Sequence, residues 1–132
     1  MSETELMSHP YVLLLDRIIA AAQAGDASDL RNIYTADAVI WHNHDNKETT
    51  VAQNAKLLEA MASWVGDRRY TDRRIRVFDG GVVQQHVLRG VHRITGEELS
   101  MDACVVALVN DEGRITRLDE YIDSRQAAKF RP

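Results

Sequence analysis

The densest chemistry in this sequence is the run Trp41-His42-Asn43-His44-Asp45, which brings an indole, two imidazoles, an amide and a carboxylate together. Two further polar residues stand within strand patterns: Glu120, between the aliphatic Leu118 and Ile122 at alternate positions, and His86, mid-strand between Gln84 and Leu88 where neither face is purely apolar. A carboxylate on an apolar strand face is partly desolvated, which raises its pKa and makes it a better proton acceptor near neutral pH. The competing reading is that Glu120 pairs with an arginine across a sheet. His86 is either a hydrogen-bonded core residue or, if it meets Glu120, an imidazole whose tautomer and basicity the carboxylate sets.

In the cluster at 41–45, strand alternation sends Trp41 and Asn43 one way and His42 the other. An indole N–H and a side-chain amide at a cavity mouth can hold a substrate oxygen or a water. The alternatives are a polar turn, or a metal site of His42, His44 and Asp45. Adjacent strand-end residues rarely converge on one ion, and no second ligand cluster stands elsewhere, so no metal is expected. GxGxxG, P-loop, GxSxG, HExxH and paired CxxC patterns do not occur, so no cofactor is expected either. Cys104, in the apolar run Ala103-Cys104-Val105-Val106, has the setting of an inert thiol.

These residues need elements to place them. Pro10 to Gln23 is apolar on most sides with a thin polar stripe at Asp16, Arg17 and Gln23, which predicts a helix opened by Pro10 and closed by Gly25. Asp26 or Ser28 caps a short second helix carrying Leu30, Ile33 and Tyr34 inward. Ala38 to His42 is a strand, and Asn43 to Lys47 a turn. Thr50 and Gln53 have capping-box spacing ahead of a helix that runs through Leu58 and Val65 to Gly66. Four strands follow, Tyr70 to Phe78, Val82 to His92, Leu99 to Val109 and Arg114 to Asp123, separated by glycine-containing hairpin turns. A tail helix is expected over Ser124 to Lys129. The five arginines between Asp67 and Arg76 read as a solvated strand edge, with a patch for an anionic substrate tail or partner as the alternative, and Asp16 on its polar stripe reads as exposed; the orientation of Asp102 stays open. Helices first and hairpin strands after give an α+β fold, a curved antiparallel sheet with helices on its concave side and an apolar hollow between the layers.

The chain has 132 residues, enough for one domain with a real core. Its net charge of −4 argues against nucleic acid as a partner. No apolar run reaches the length of a membrane span. Met1 to Met7 holds two Glu and no Lys or Arg, unlike a signal peptide, and the single cysteine suits a reducing cytoplasm.

The stretches Ala24-Gly25-Asp26, Tyr34-Thr35-Ala36-Asp37-Ala38-Val39 and Gly113-Arg114-Ile115, with Asp119-Glu120-Tyr121-Ile122-Asp123, resemble the nuclear transport factor 2-like superfamily. Within it they are most similar to the SnoaL-like group of polyketide cyclases, ketosteroid isomerases and limonene epoxide hydrolases, over about Pro10 to Asp123. The resemblance implies a cone-shaped α+β barrel, a homodimer, a deep apolar pocket and cofactor-free acid–base chemistry. It places the isomerase general base on His42, the oxyanion-hole tyrosine on Ile18 and the protonated aspartate on Val105, so the isomerase oxyanion hole is missing. It places the water-holding tyrosine and asparagine of the epoxide hydrolase on Trp41 and Asn43, and its aspartate–arginine–aspartate set on Leu88, His86 and Glu120.

The expectation is a cofactor-independent enzyme for a small, largely apolar, oxygenated molecule. Glu120 is its base or holds His86 as base, with Trp41, Asn43 and His42 at the rim. Leu14, Ile18, Leu88, Val105, Leu118 and Ile122 form the apolar lining. The alternative is a non-catalytic binding or dimerisation module of the same fold.

Overall fold

A computed structural model describes residues 1–132. Helix α1 (Glu3–Met7), not anticipated from the sequence, is held by a capping box between Ser2 and Glu5. Helix α2 (Pro10–Ala24) starts on the His9 ring, which accepts from the Tyr11 N–H, and stops where Gly25 turns left-handed at φ 69°. A single turn, α3 (Leu30–Ile33), leads into strand β1 (Tyr34–His42). Tyr34 therefore opens the strand instead of closing the helix, and β1 begins four residues before the expected Ala38. Strand β2 (Lys47–Thr49) pairs back on β1 where only a turn was expected. Helix α4 (Val51–Trp64) carries the anticipated Thr50–Gln53 capping box.

Four long strands follow: β3 (Val65–Phe78), β4 (Gly81–His92), β5 (Glu98–Val109) and β6 (Ile115–Ile122), and then α5 (Ser124–Ala128). Gly66 lies inside β3 and does not end α4; the helix stops at Trp64 and the chain goes straight into the strand. The charged stretch after it stays extended through two bulges, at Gly66–Arg69 and Thr71–Arg74, with Asp67 and Asp72 at positive φ. Bulges bend a strand and re-aim its side chains.

The sheet order is β2-β1-β6-β5-β4-β3. Every pairing is antiparallel except β1 with β6, which is parallel. The long connection through α4 and three strands allows it, because a parallel pair needs a crossover. The parallel register sets His42 opposite Glu120.

Helices α2 and α4 cover one face of the curved sheet, and the core lies between, built on Val12, Leu15, Ile33, Ile40, Val82 and Ile115. Two of the five arginines expected in solvent hold the layers together instead. Arg68 is 7% exposed and donates to the carbonyls of Ala22 and Gln23 at the end of α2 and to that of Val65. A guanidinium there adds donors to the carbonyls at a helix C-terminus and complements its dipole. Arg73 reaches Asp16 on α2 at 2.7 Å, so Asp16 is paired and not simply solvated. No helix is long and apolar enough to cross a membrane.

Candidate functional site

Between α2, α4 and the concave sheet face lies a cavity of about 220 Å³. Its wall from α2 is Leu15, Ile18, Ile19 and Ala22, the i, i+3, i+4, i+7 stripe, and α4 adds Leu57, Leu58, Met61 and Trp64. Leu14, expected in the lining, stands one position off that stripe and is buried in the core instead, at 7% exposure. The sheet wall includes Ile40, Leu88, Val105, Leu118 and Ile122. The tail closes one side: the Trp64 indole N–H donates to the Phe130 carbonyl, and the His92 Nε2 lies 2.8 Å from the Arg131 carbonyl.

Few polar side chains enter this space, and Tyr34, His42, His44, Tyr70, His86 and Glu120 are among them. His42 and Glu120 arrive on neighbouring strands at matched positions, and the His42 Nε2 lies 3.2 Å from the Glu120 Oε1. The hydrogen bond to Glu120 raises the His42 pKa, desolvation opposes it, and the charges of Glu120 and Asp45 add to the rise. Burial alone would raise the Glu120 carboxyl, but the bond from His42 and the charges of His42, His86 and His44 outweigh it and the net shift is downward. The sequence-based expectation of a raised Glu120 pKa is thus corrected: the apolar neighbours are there, but so is an imidazole. The contact favours the ionised carboxylate on Glu120 and the protonated ring on His42, a proton acceptor beside a proton donor.

His86, the expected partner of Glu120, is engaged elsewhere. Its Nδ1 lies 2.9 Å from the Gln84 amide nitrogen, and its ring tilts against Tyr70 with centroids 5.0 Å apart. Burial lowers its pKa; the charge of Glu120 works against that and the charge of Arg73 with it. Tyr34 and Tyr70 have their phenol pKa values pushed up, by burial first and then by the charge of Glu120. Both stay protonated and able to donate. His44 also lines the cavity, its ring 5.9 Å from that of His42.

Trp41 and Asn43 are not in this cavity. Alternation along β1 turns His42 inward and both neighbours outward. The Trp41 indole N–H donates to the Asn46 side chain at 2.9 Å and its ring meets Tyr121 edge-on, 5.2 Å away. The Asn43 amide bonds the backbone N–H and carbonyl of Ile122, at 2.8 and 3.3 Å, and so extends the β1–β6 pairing. Both side chains are thus engaged with the protein's own framework outside this cavity. Asp102 also points away from the hollow, accepting from the Gln126 amide at 3.1 Å. Sequence reasoning missed Tyr70 and Gln84 as site residues. Gln84 shares the face of His86 by simple alternation, so a signal existed; Tyr70 is brought in beside a bulged stretch of β3 that periodicity does not reveal.

The SnoaL-like domain family matches residues 15–118. No curated protein sequence matches the chain. Solved structures with the same fold include wild-type IdmH, provisionally described as a polyketide cyclase, from Streptomyces antibioticus. It is 20% identical with a TM-score of 0.80, over 92% of this chain and 98% of that one. A provisionally described isomerase from Bacillus subtilis is 18% identical with a TM-score of 0.77, over 98% and 94%. A protein with a ketosteroid isomerase-like fold from Catenulispora acidiphila, in complex with trimethylamine, is 13% identical with a TM-score of 0.74, over 86% and 87%. The curved sheet, its covering helices and the family match agree, and the chain belongs to the SnoaL-like domain family.

Proposed function

We propose that the protein is a cofactor-independent acid–base enzyme that moves a proton on a small, largely apolar, oxygenated molecule held in the cavity. The observation that carries this is the Glu120–His42 pair, 3.2 Å apart, set into a wall of aliphatic side chains. An ionised carboxylate beside the substrate is a proton acceptor, and low local polarity strengthens every charge interaction made there. The hydrogen bond and charge of His42 favour the ionised form of Glu120 against the burial that would neutralise it, and a protonated His42 can supply a proton to the substrate.

Size narrows the substrate. A dry cavity of about 150 Å³ holds benzene, so about 220 Å³ suits a ring system of about ten non-hydrogen atoms. The outward orientation of Trp41 and Asn43 removes the two groups that would hold an attacking water in the epoxide hydrolase arrangement. That favours proton transfer on the substrate itself, as in isomerisation, cyclisation or dehydration, over hydrolysis. The names carried by structural relatives, polyketide cyclase and isomerase, lie within this range. We include in the proposal that the working unit is a homodimer, with the exposed Tyr121 on the outer sheet face at the contact; light scattering at micromolar concentration reads the mass.

The test is a screen of cyclic ketones, hydroxylated aromatics and epoxides with the wild type and Glu120→Gln. Loss of a positioned base costs roughly 10²- to 10⁴-fold in turnover. A Glu120→Gln protein that folds, binds and turns over at the wild-type rate refutes the reading. Ligand binding with no turnover by either protein makes the chain a binding module.

A further inference from the structure

A second polar chain, separate from the Glu120–His42 pair, runs into the cavity from β3 and β4. The Asp16 carboxylate lies 2.7 Å from the Arg73 Nη2. The Arg73 Nε–H donates to the Gln84 Oε1 at 2.9 Å, and the Gln84 Nε2 lies 2.9 Å from the His86 Nδ1. Gln84 is 2% exposed and His86 6%.

The donor inventory fixes the direction of this chain. Arginine has only donors, so the Gln84 atom facing Arg73 is the oxygen. The other end of the amide is then the NH₂ group, which can only donate, so the His86 Nδ1 accepts. An imidazole whose Nδ1 accepts carries its proton on Nε2 when neutral. His86 lines the cavity, and with Nδ1 tied to Gln84, Nε2–H is the ring atom left for a bound molecule.

We propose that Arg73 and Gln84 are positioning residues that lock His86 as its Nε2–H tautomer, making it a neutral hydrogen-bond donor to an oxygen of the molecule in the cavity. The inference rests on the acid–base reading above for the identity of that molecule, but its own content is the state of the His86 ring. It divides the labour: Glu120 takes the proton, and His86 faces the oxygen on which negative charge then develops. That is the job of an oxyanion donor. The setting agrees: burial first and the Arg73 cation after it favour the neutral ring, against the charge of Glu120, and the net shift of the His86 pKa is downward. A bulge supplies the geometry. Asp72, at φ 55°, breaks the β3 register between Thr71 and Arg74, and the guanidinium of the next residue lies over Gln84.

The test is nitrogen-15 NMR of the histidine rings in the ligand-free protein at neutral pH, with His86 assigned from the His86→Gln spectrum. The expected result is a neutral ring protonated on Nε2. Gln84→Glu presents acceptors to both Arg73 and His86, and it should transfer the ring proton to Nδ1. Arg73→Met frees the amide to turn over and should give mixed tautomers, whereas Arg73→Lys, which keeps a donor, should retain Nε2–H. A purely structural role for Arg73 would leave the ring signals of Met and Lys variants alike. A wild-type ring protonated on Nδ1, a doubly protonated ring, or an unchanged tautomer in folded Gln84→Glu overturns the proposal. With a turned-over substrate in hand, Gln84→Glu should lower kcat about 10²-fold with KM little changed. The tautomer is read without substrate. Failure of Glu120→Gln to affect turnover would therefore sink the proposed function while leaving the state of His86 separately decided.

Discussion

The ion pair of His42 with Glu120 can be weighed by a double-mutant cycle across pH, using Glu120→Gln, His42→Gln and the double variant in urea denaturation. Unit charges 3.2 Å apart attract by about 5 kcal/mol at an effective dielectric of about 20. The His42 side chain is 9% exposed and that of Glu120 27%, so desolvation takes back a large part. A net coupling of about 2 kcal/mol remains. Its pH window follows from the two shifts. The His42 pKa is raised from 6.5, so its share of stability is fully present below 6.5 and is lost as pH rises through the higher folded value. The Glu120 pKa is lowered from 4.5, so its share is present above 4.5 and is lost as pH falls through the lower folded value. The coupling should therefore be greatest between 4.5 and 6.5, and fall below about 0.5 kcal/mol well above the folded pKa of His42. A coupling that stays flat from acid to alkaline pH, or is absent between 4.5 and 6.5, would refute the charged pair and with it the argument for Glu120 as a ready proton acceptor.

Other perturbations separate framework from site. Arg68→Met keeps the buried stem but removes the bonds to the carbonyls of Ala22, Gln23 and Val65; urea denaturation should show a loss of about 3 kcal/mol. Gly90→Ala puts a methyl 2.5 Å from the Val65 Cγ1 and 3.1 Å from the Gly66 carbonyl oxygen, and should cost about 1–3 kcal/mol in the same assay. Trp41→Phe removes the bond to Asn46 outside the cavity; it should cost about 1 kcal/mol of stability and leave ligand affinity unchanged, as titration calorimetry would read.

Much of the fold was legible because short-range physics writes it. The apolar density of Pro10–Gln23 and the Thr50–Gln53 cap identified α2 and α4, and glycine turns marked the hairpins of β3 to β6. Alternation correctly put Glu120, Leu118 and Ile122 on one face, and the cavity lies on that side. The same rule said that His42 and Trp41 point opposite ways, but nothing local says which way is inward. That depends on which side of β1 the helices cover. The choice of Trp41 and Asn43 as rim residues failed there, and Leu14 failed for the same reason one helical position away from Leu15.

What the sequence determined by itself is the set of elements, their order and the side chains that share each face, because these follow from backbone geometry and side-chain type within a few residues. What only the tertiary structure decided is which titratable groups meet. Glu120 is 78 residues from His42 and 34 from His86 in the chain, and pattern alone gives no preference between them. The parallel β1–β6 register set His42 beside the carboxylate, while His86 bonds Gln84 two residues away on its own strand and packs against Tyr70 of β3. The pKa of Glu120 followed, moved down by a neighbour that no local pattern could supply.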